Sequence, residues 1–130
     1  MSLSPFSPLS TLADAQPFAR DGFTFRPLAV PSRGSAELAV WALDLVPGAR
    51  SETHSMDREE VFVVVDGAVS ATVADREVSA GPGDAIIVPP HATLQIRNAS
   101  TAEPARLTVA TSVGMRAIVG GAPFTPPWAQ

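Results

Sequence analysis

Pro47-Gly48-Ala49-Arg50-Ser51-Glu52-Thr53-His54-Ser55-Met56-Asp57-Arg58-Glu59-Glu60-Val61-Phe62-Val63-Val64-Val65-Asp66-Gly67 is the stretch on which the fold turns. It opens on a Pro-Gly turn, crosses a polar segment holding His54 and Glu60, enters a run of β-branched and aromatic residues, and closes on Asp66-Gly67. The run Val61 to Val65 is apolar on both of its faces, which predicts a strand buried between the interior and a second packed surface. Asp-Gly between two valine-rich runs favours the tight turn that matches strand twist, so a hairpin is expected there.

Outward from this stretch the pattern repeats. Phe23 to Ala29, Glu37 to Val46, Val69 to Ala74, Ala85 to Val88, Thr93 to Arg97, Arg106 to Thr111 and Arg116 to Val119 are short apolar or alternating runs without helical periodicity. The separators are Ala74-Asp75, Gly81-Pro82-Gly83-Asp84, Pro89-Pro90 and Asn98 to Pro104, each with residues that supply positive φ, fixed φ or a local side-chain hydrogen bond. Alternation places Leu94 and Ile96 on one face, directed to the interior, and Thr93, Gln95 and Arg97 on the other. The fold class is therefore all-β, in antiparallel sheets. The chain of 130 residues has room for a single domain.

Residues 1–22, rich in Ser and Pro, form an N-terminal arm that either frays or acts as a strap packing through Phe6 and Phe18; residues 23–130 form the domain. A net charge of -4 and the lack of any basic run exclude the cationic face that nucleic-acid binding requires. With no Cys there is neither a cystine framework, a thiolate nucleophile nor a sulfur-ligated zinc site. No membrane-length apolar stretch is present, and the opening residues lack the basic front and apolar middle of a secretory signal, so a cytoplasmic protein is expected.

A second segment, Gly83-Asp84-Ala85-Ile86-Ile87-Val88-Pro89-Pro90-His91-Ala92-Thr93-Leu94-Gln95-Ile96-Arg97-Asn98, follows the first. Together the two resemble the paired motifs of the cupin superfamily. In the first, Gly48, His54, Met56, Glu60 and Gly67 fall at the motif's spacings; in the second the Gly, Pro and Asn anchors are kept. The resemblance spans roughly residues 37 to 111. It implies a single-domain cupin, a double-stranded β-helix or jelly-roll barrel of two antiparallel sheets, with a metal or ligand site in its mouth. The ending, Phe124-Thr125-Pro126-Pro127-Trp128-Ala129-Gln130, is similar to that of a subgroup of short cupins without a defined activity.

The resemblance also implies a metal set of two His and a Glu from the first motif and one His from the second. Here only His54 and Glu60 remain: Met56 and Leu94 stand at the other two positions, and His91 lies in the turn before the strand. Iron, manganese and zinc sites need three or more N or O ligands, so metal binding at His54 and Glu60 is expected to be weak, and no cofactor is expected; the alternative is one divalent ion at a partial site. Met56, Phe62, Val64, Leu94, Ile96, Trp41 and His91 are expected to line an apolar pocket for a small organic molecule. Phe124 and Trp128 are placed either as a lid on the barrel or against a partner.

The competing expectation is an enzyme of isomerase, cyclase, lyase or oxygenase type, in which His54 and Glu60 serve as an acid–base pair or as partial metal ligands. Arg50 and Arg97 read as solvated charges. The doubly apolar strands predict a homodimer.

Overall fold

The computed structural model describes residues 7–130; Phe6, one of the two expected strap residues, lies outside them. In chain order the strands are β1 (Phe18–Arg20), β2 (Phe23–Ala29), β3 (Leu38–Leu45), β4 (Ser55–Met56), β5 (Glu60–Asp66), β6 (Val69–Val73), β7 (Arg76–Ala80), β8 (Ala85–Val88), β9 (Leu94–Asn98), β10 (Ala105–Ser112), β11 (Ala117–Val119) and β12 (Ala122–Phe124). Single 3₁₀ turns at Leu12–Asp14, Pro31–Arg33 and Pro127–Ala129 are the helical elements among the described residues, and no helix is long and apolar enough to cross a membrane.

One antiparallel sheet runs β1-β2-β3-β10-β5-β8. Opposite it lie β7-β6-β9 and β12-β11-β4, joined through backbone bridges at Arg50↔Arg97 and His54↔Leu94. The period-2 alternation decides what lies between the sheets. In β10, Ala105, Leu107, Val109 and Thr111 are buried while Arg106, Thr108, Ala110 and Ser112 face outward; β5 buries Glu60, Phe62 and Val64, and β9 buries Leu94, Ile96 and Asn98. Registers carry this across the sheet, so Trp41, Val109 and Phe62 form one inward row.

The expected hairpin at Asp66-Gly67 is not formed. β5 pairs with β10 and β8, whereas β6 pairs with β7 and β9, so the turn carries the chain from one sheet to the other. Gly67, at φ 87°, is needed for a close approach rather than for a hairpin: a Cβ there would lie 2.7 Å from the Pro104 carbonyl oxygen and 2.8 Å from Ala105 Cα. The hairpin sits one strand later, where Ala74 (φ 48°) and Asp75 (φ 66°) make the turn that sets Val73 opposite Arg76.

β1, β4, β7 and β12 lack the apolar alternation that marks the other strands. β7 is a sheet edge of mostly exposed residues, β12 carries Pro123 on an edge, and β4 is two residues inside the polar stretch; edge strands need no apolar face. The described part of the arm is tied to the large sheet. Phe18 pairs with Phe25, the Ser10 hydroxyl donates to the Leu28 carbonyl at 2.5 Å, and the Arg33 guanidinium donates to Pro27 and Thr11 carbonyls at 2.7 and 3.1 Å.

Candidate functional site

The interior divides into a filled part and a hollow part. Leu45, Val64, Val69, Ala71, Ile86, Val88, Leu94 and Leu107 belong to the buried core and fill the region beneath β5, β6 and β8 with aliphatic side chains. On the other side, toward β2, β11 and β12, a cavity of ≈ 230 Å³ opens at one end of the barrel. Of the six Phe and two Trp in the chain, Phe23, Phe25, Trp41, Phe62, Phe124 and Trp128 all line it. Leu43, Met56, Ile96, Met115, Ala117, Val119 and Pro126 complete its apolar wall, and Arg20, Asp21, Arg50 and Glu52 lie toward solvent at its rim.

The tail closes over this chamber. Trp128 stacks on Phe25 with ring centroids 3.7 Å apart and planes at 10°, and Ser32 N–H donates to the Gln130 carbonyl at 2.7 Å. At the rim the Arg20 guanidinium lies 5.9 Å from the Phe124 ring centroid and within 3.6 Å of Glu52.

Glu60 is the ionisable group of the interior. Alternation along β5 turns it to the same side as Phe62 and Val64, and it is 4% exposed. No described side chain or backbone group hydrogen-bonds or ion-pairs with its carboxyl; the hydroxyl of Thr111, its register partner, donates instead to the Glu59 carbonyl at 2.6 Å. Burial without compensation disfavours the charged form and raises the pKa from 4.5 to about 8. The Trp41 indole nitrogen, from another chamber-lining residue, is also buried without a partner.

His54 is placed by backbone bonds to Leu94, N–H to carbonyl at 2.9 Å one way and 2.7 Å the other. Its Nδ1–H donates to the Glu52 carbonyl at 2.8 Å, which leaves Nε2 as the acceptor nitrogen of the neutral ring. The expected acid–base pair is not made: His54 is committed to Glu52, and it forms neither a hydrogen bond nor an ion pair with Glu60. The physical reason is register. His54 stands on the strand facing β9 while Glu60 stands on β5 in the opposite sheet.

The structure brings His54, Met56, Glu60, Phe62, Ile96 and Trp41 to the chamber. Val64 and Leu94 are buried in the filled part and are not among the lining residues. His91 is also outside it: it is exposed, its φ is 67°, and its N–H is tied to the Met56 carbonyl at 2.7 Å. Arg50, expected as a solvated charge, is exposed but lies on the rim, while Arg97 is ion-paired with Glu77 at 3.0 Å. Sequence reasoning missed Phe23, Phe25, Leu43, Met115, Ala117, Val119 and Pro126 as lining residues. For the first two a signal existed, since Phe-Thr-Phe puts two aromatic rings on one face of a strand.

Among the described residues no three His, Asp or Glu side chains converge as metal ligands. The donor set near Glu60 is one imidazole, one carboxylate and a thioether that prefers soft ions, which does not fit iron, manganese or zinc.

The cupin domain model matches residues 41–111. No curated protein matches the sequence. Among solved structures, the polyketide cyclase RemF from Streptomyces resistomycificus is similar over 78% of this chain and 76% of its own, at 19% identity and a TM-score of 0.69. An RmlC-like cupin from Shewanella frigidimarina is similar over 82% and 90%, at 20% identity and a TM-score of 0.70. KdgF from Halomonas sp. is similar over 82% and 93%, at 16% identity and a TM-score of 0.70. At these identities the likeness concerns the fold.

Proposed function

The chain belongs to the cupin domain family, and from that premise we propose that it binds a small, largely apolar organic molecule in the hollow part of its barrel, with weak or no metal binding. The observation that carries this reading is the aromatic chamber of ≈ 230 Å³ with Glu60 as its buried acid. An apolar cavity of about 150 Å³ accepts benzene, and drug-sized ligands occupy roughly 300 Å³ or more. The chamber therefore suits one substituted ring or a compact bicycle.

Calorimetry with benzyl alcohol as a neutral probe tests it. Binding to the wild type is expected, with loss in Ala117→Phe, which fills the chamber from β11; equal binding to a folded Ala117→Phe variant would contradict the reading. Excess manganese(II) or zinc(II) should raise the melting temperature no more in the wild type than in His54→Ala.

A second reading is favoured by one observation, the buried and unpartnered Glu60 carboxyl on the chamber wall, whose burial raises its pKa to about 8. A carboxyl titrating near neutrality is a competent general acid or base, so the protein would be a metal-free isomerase, cyclase or lyase with His54 Nε2 as a separate acceptor. Turnover of candidate substrates unchanged in both Glu60→Ala and His54→Ala would reject it.

We also propose a homodimer formed through the outer face of the large sheet. The rows Val40-Ala110-Val61-Ile87 and Ala42-Thr108-Val63-Ala85 are in register there, and Ile87 is 61% exposed. A flat patch of small and β-branched side chains can meet its own copy about a two-fold axis. Sedimentation as a monomer at micromolar concentration would contradict this. We place the protein in the cytoplasm, where a barrel without cystines is at home.

A further inference from the structure

Within the chamber, the chemistry of the walls and of the buried acid restricts what the occupant can be. Aromatic rings carry a negative face that attracts cations, an attraction that strengthens when water is excluded. The chamber gathers aromatic side chains from β2, β3, β5, β12 and the tail around a carboxyl that is 4% exposed. That carboxyl is paired with none of the arginines: every ion pair among the described residues engages an acid other than Glu60. Once its proton is released, the carboxylate repels an anionic occupant in a low-dielectric space, and a plain hydrocarbon leaves the carboxyl with no partner at all.

We propose that the chamber is a site for an organic ammonium compound: an aromatic or cycloaliphatic amine whose ring lies between the Phe25–Trp128 stack and Trp41 and whose ammonium meets the Glu60 carboxylate. This rests on the reading of the chamber as a ligand site and names its ligand class. A charge-assisted bond from ammonium to carboxylate is stronger than a neutral one, and each desolvated charge finds its counter-charge in the other. The rim does not oppose entry of a cation, since its two arginines, Arg20 and Arg50, are matched in number by two acids, Asp21 and Glu52, and both acids engage Arg20.

The test is calorimetry at pH 8.5, where the Glu60 carboxyl is mostly ionised and a benzylic amine still mostly protonated, with benzylamine and benzyl alcohol, two probes of the same size and shape that differ in charge. The wild type should bind benzylamine about tenfold or more tightly than benzyl alcohol. Glu60→Gln, which keeps the shape and removes the carboxylate, should erase that preference and leave benzyl alcohol binding within about twofold, while Glu52→Gln at the rim should keep it. Trp128→Ala should weaken both probes. If benzyl alcohol binds as well as the amine, or the preference survives Glu60→Gln, the ammonium assignment is overturned while the chamber stands as a ligand site. If neither probe binds the wild type at millimolar concentration, the chamber reading and the ammonium assignment both fail.

Discussion

The filled and hollow parts of the barrel are built by the same device and end differently. Both take every second residue of their strands to the interior. Beneath β5, β6 and β8 those residues are Leu, Val, Ile and Ala, whose branched side chains interdigitate to the density of a crystal. Toward β2, β11 and β12 they are Phe, Trp and Met with one Glu, and flat rigid rings wall off a space they do not fill. The lesson is that patterning sets which way a side chain points, while its shape sets whether the interior closes.

The largest effect expected from this contrast concerns Glu60. Its folded pKa of about 8 lies above the 4.5 of the unfolded chain, so between those values the folded protein holds a proton that the unfolded chain has released. The associated stability is complete below about pH 4.5, falls as pH rises toward 8 and levels off above it, a loss of about 5 kcal/mol across that window. Urea unfolding of the wild type and Glu60→Gln across this range should show the slope in the first and its removal in the second. A shared slope would mean that the hollow part does not isolate its acid from water.

Next comes a pair of truncations, one in each part. Leu107→Ala in the filled part removes packed atoms from a site that is 0% exposed and should cost about 3 kcal/mol. Ile96→Ala borders the existing cavity and should cost less, about 1–2 kcal/mol, because fewer contacts surround it. Equal losses by denaturant unfolding would erase the distinction between the parts. At the corner that separates the sheets, Gly67→Ala should cost at least ~2 kcal/mol, through positive φ and the clash with Pro104 and Ala105.

The smallest effect on stability is expected at the lid. Trp128 is only half-buried, so Trp128→Ala should cost about 1 kcal/mol from its stack on Phe25, yet weaken ligand binding by a larger factor. A stability loss without a binding loss would make the tail a packing element alone.

Most of the fold was legible because inward positions announce themselves by alternation. Leu94, Ile96, Phe62 and Glu60 follow that rule. The corner at Asp66-Gly67 was not legible, since an Asp-Gly turn looks the same whether it returns within a sheet or crosses between two. The chamber was half legible. Trp41, Met56 and Phe62 follow from strand phase, but Val64 and Leu94 face inward just as they do, and alternation carries no information on which inward residues meet a void. His54 and Glu60 occupy neighbouring stations of one motif, and only the strand pairing shows them assigned to opposite sheets and left unpaired.

The central claim is that the hollow part is an apolar chamber and not a metal centre or a packed core, and crystallography under xenon pressure tests it most directly, because xenon enters dry apolar cavities. The account predicts a xenon peak enclosed by Trp41, Met56 and Phe62, with none in the filled part. Side chains occupying that volume without xenon, or a metal ion held there by His54 and Glu60, would contradict it.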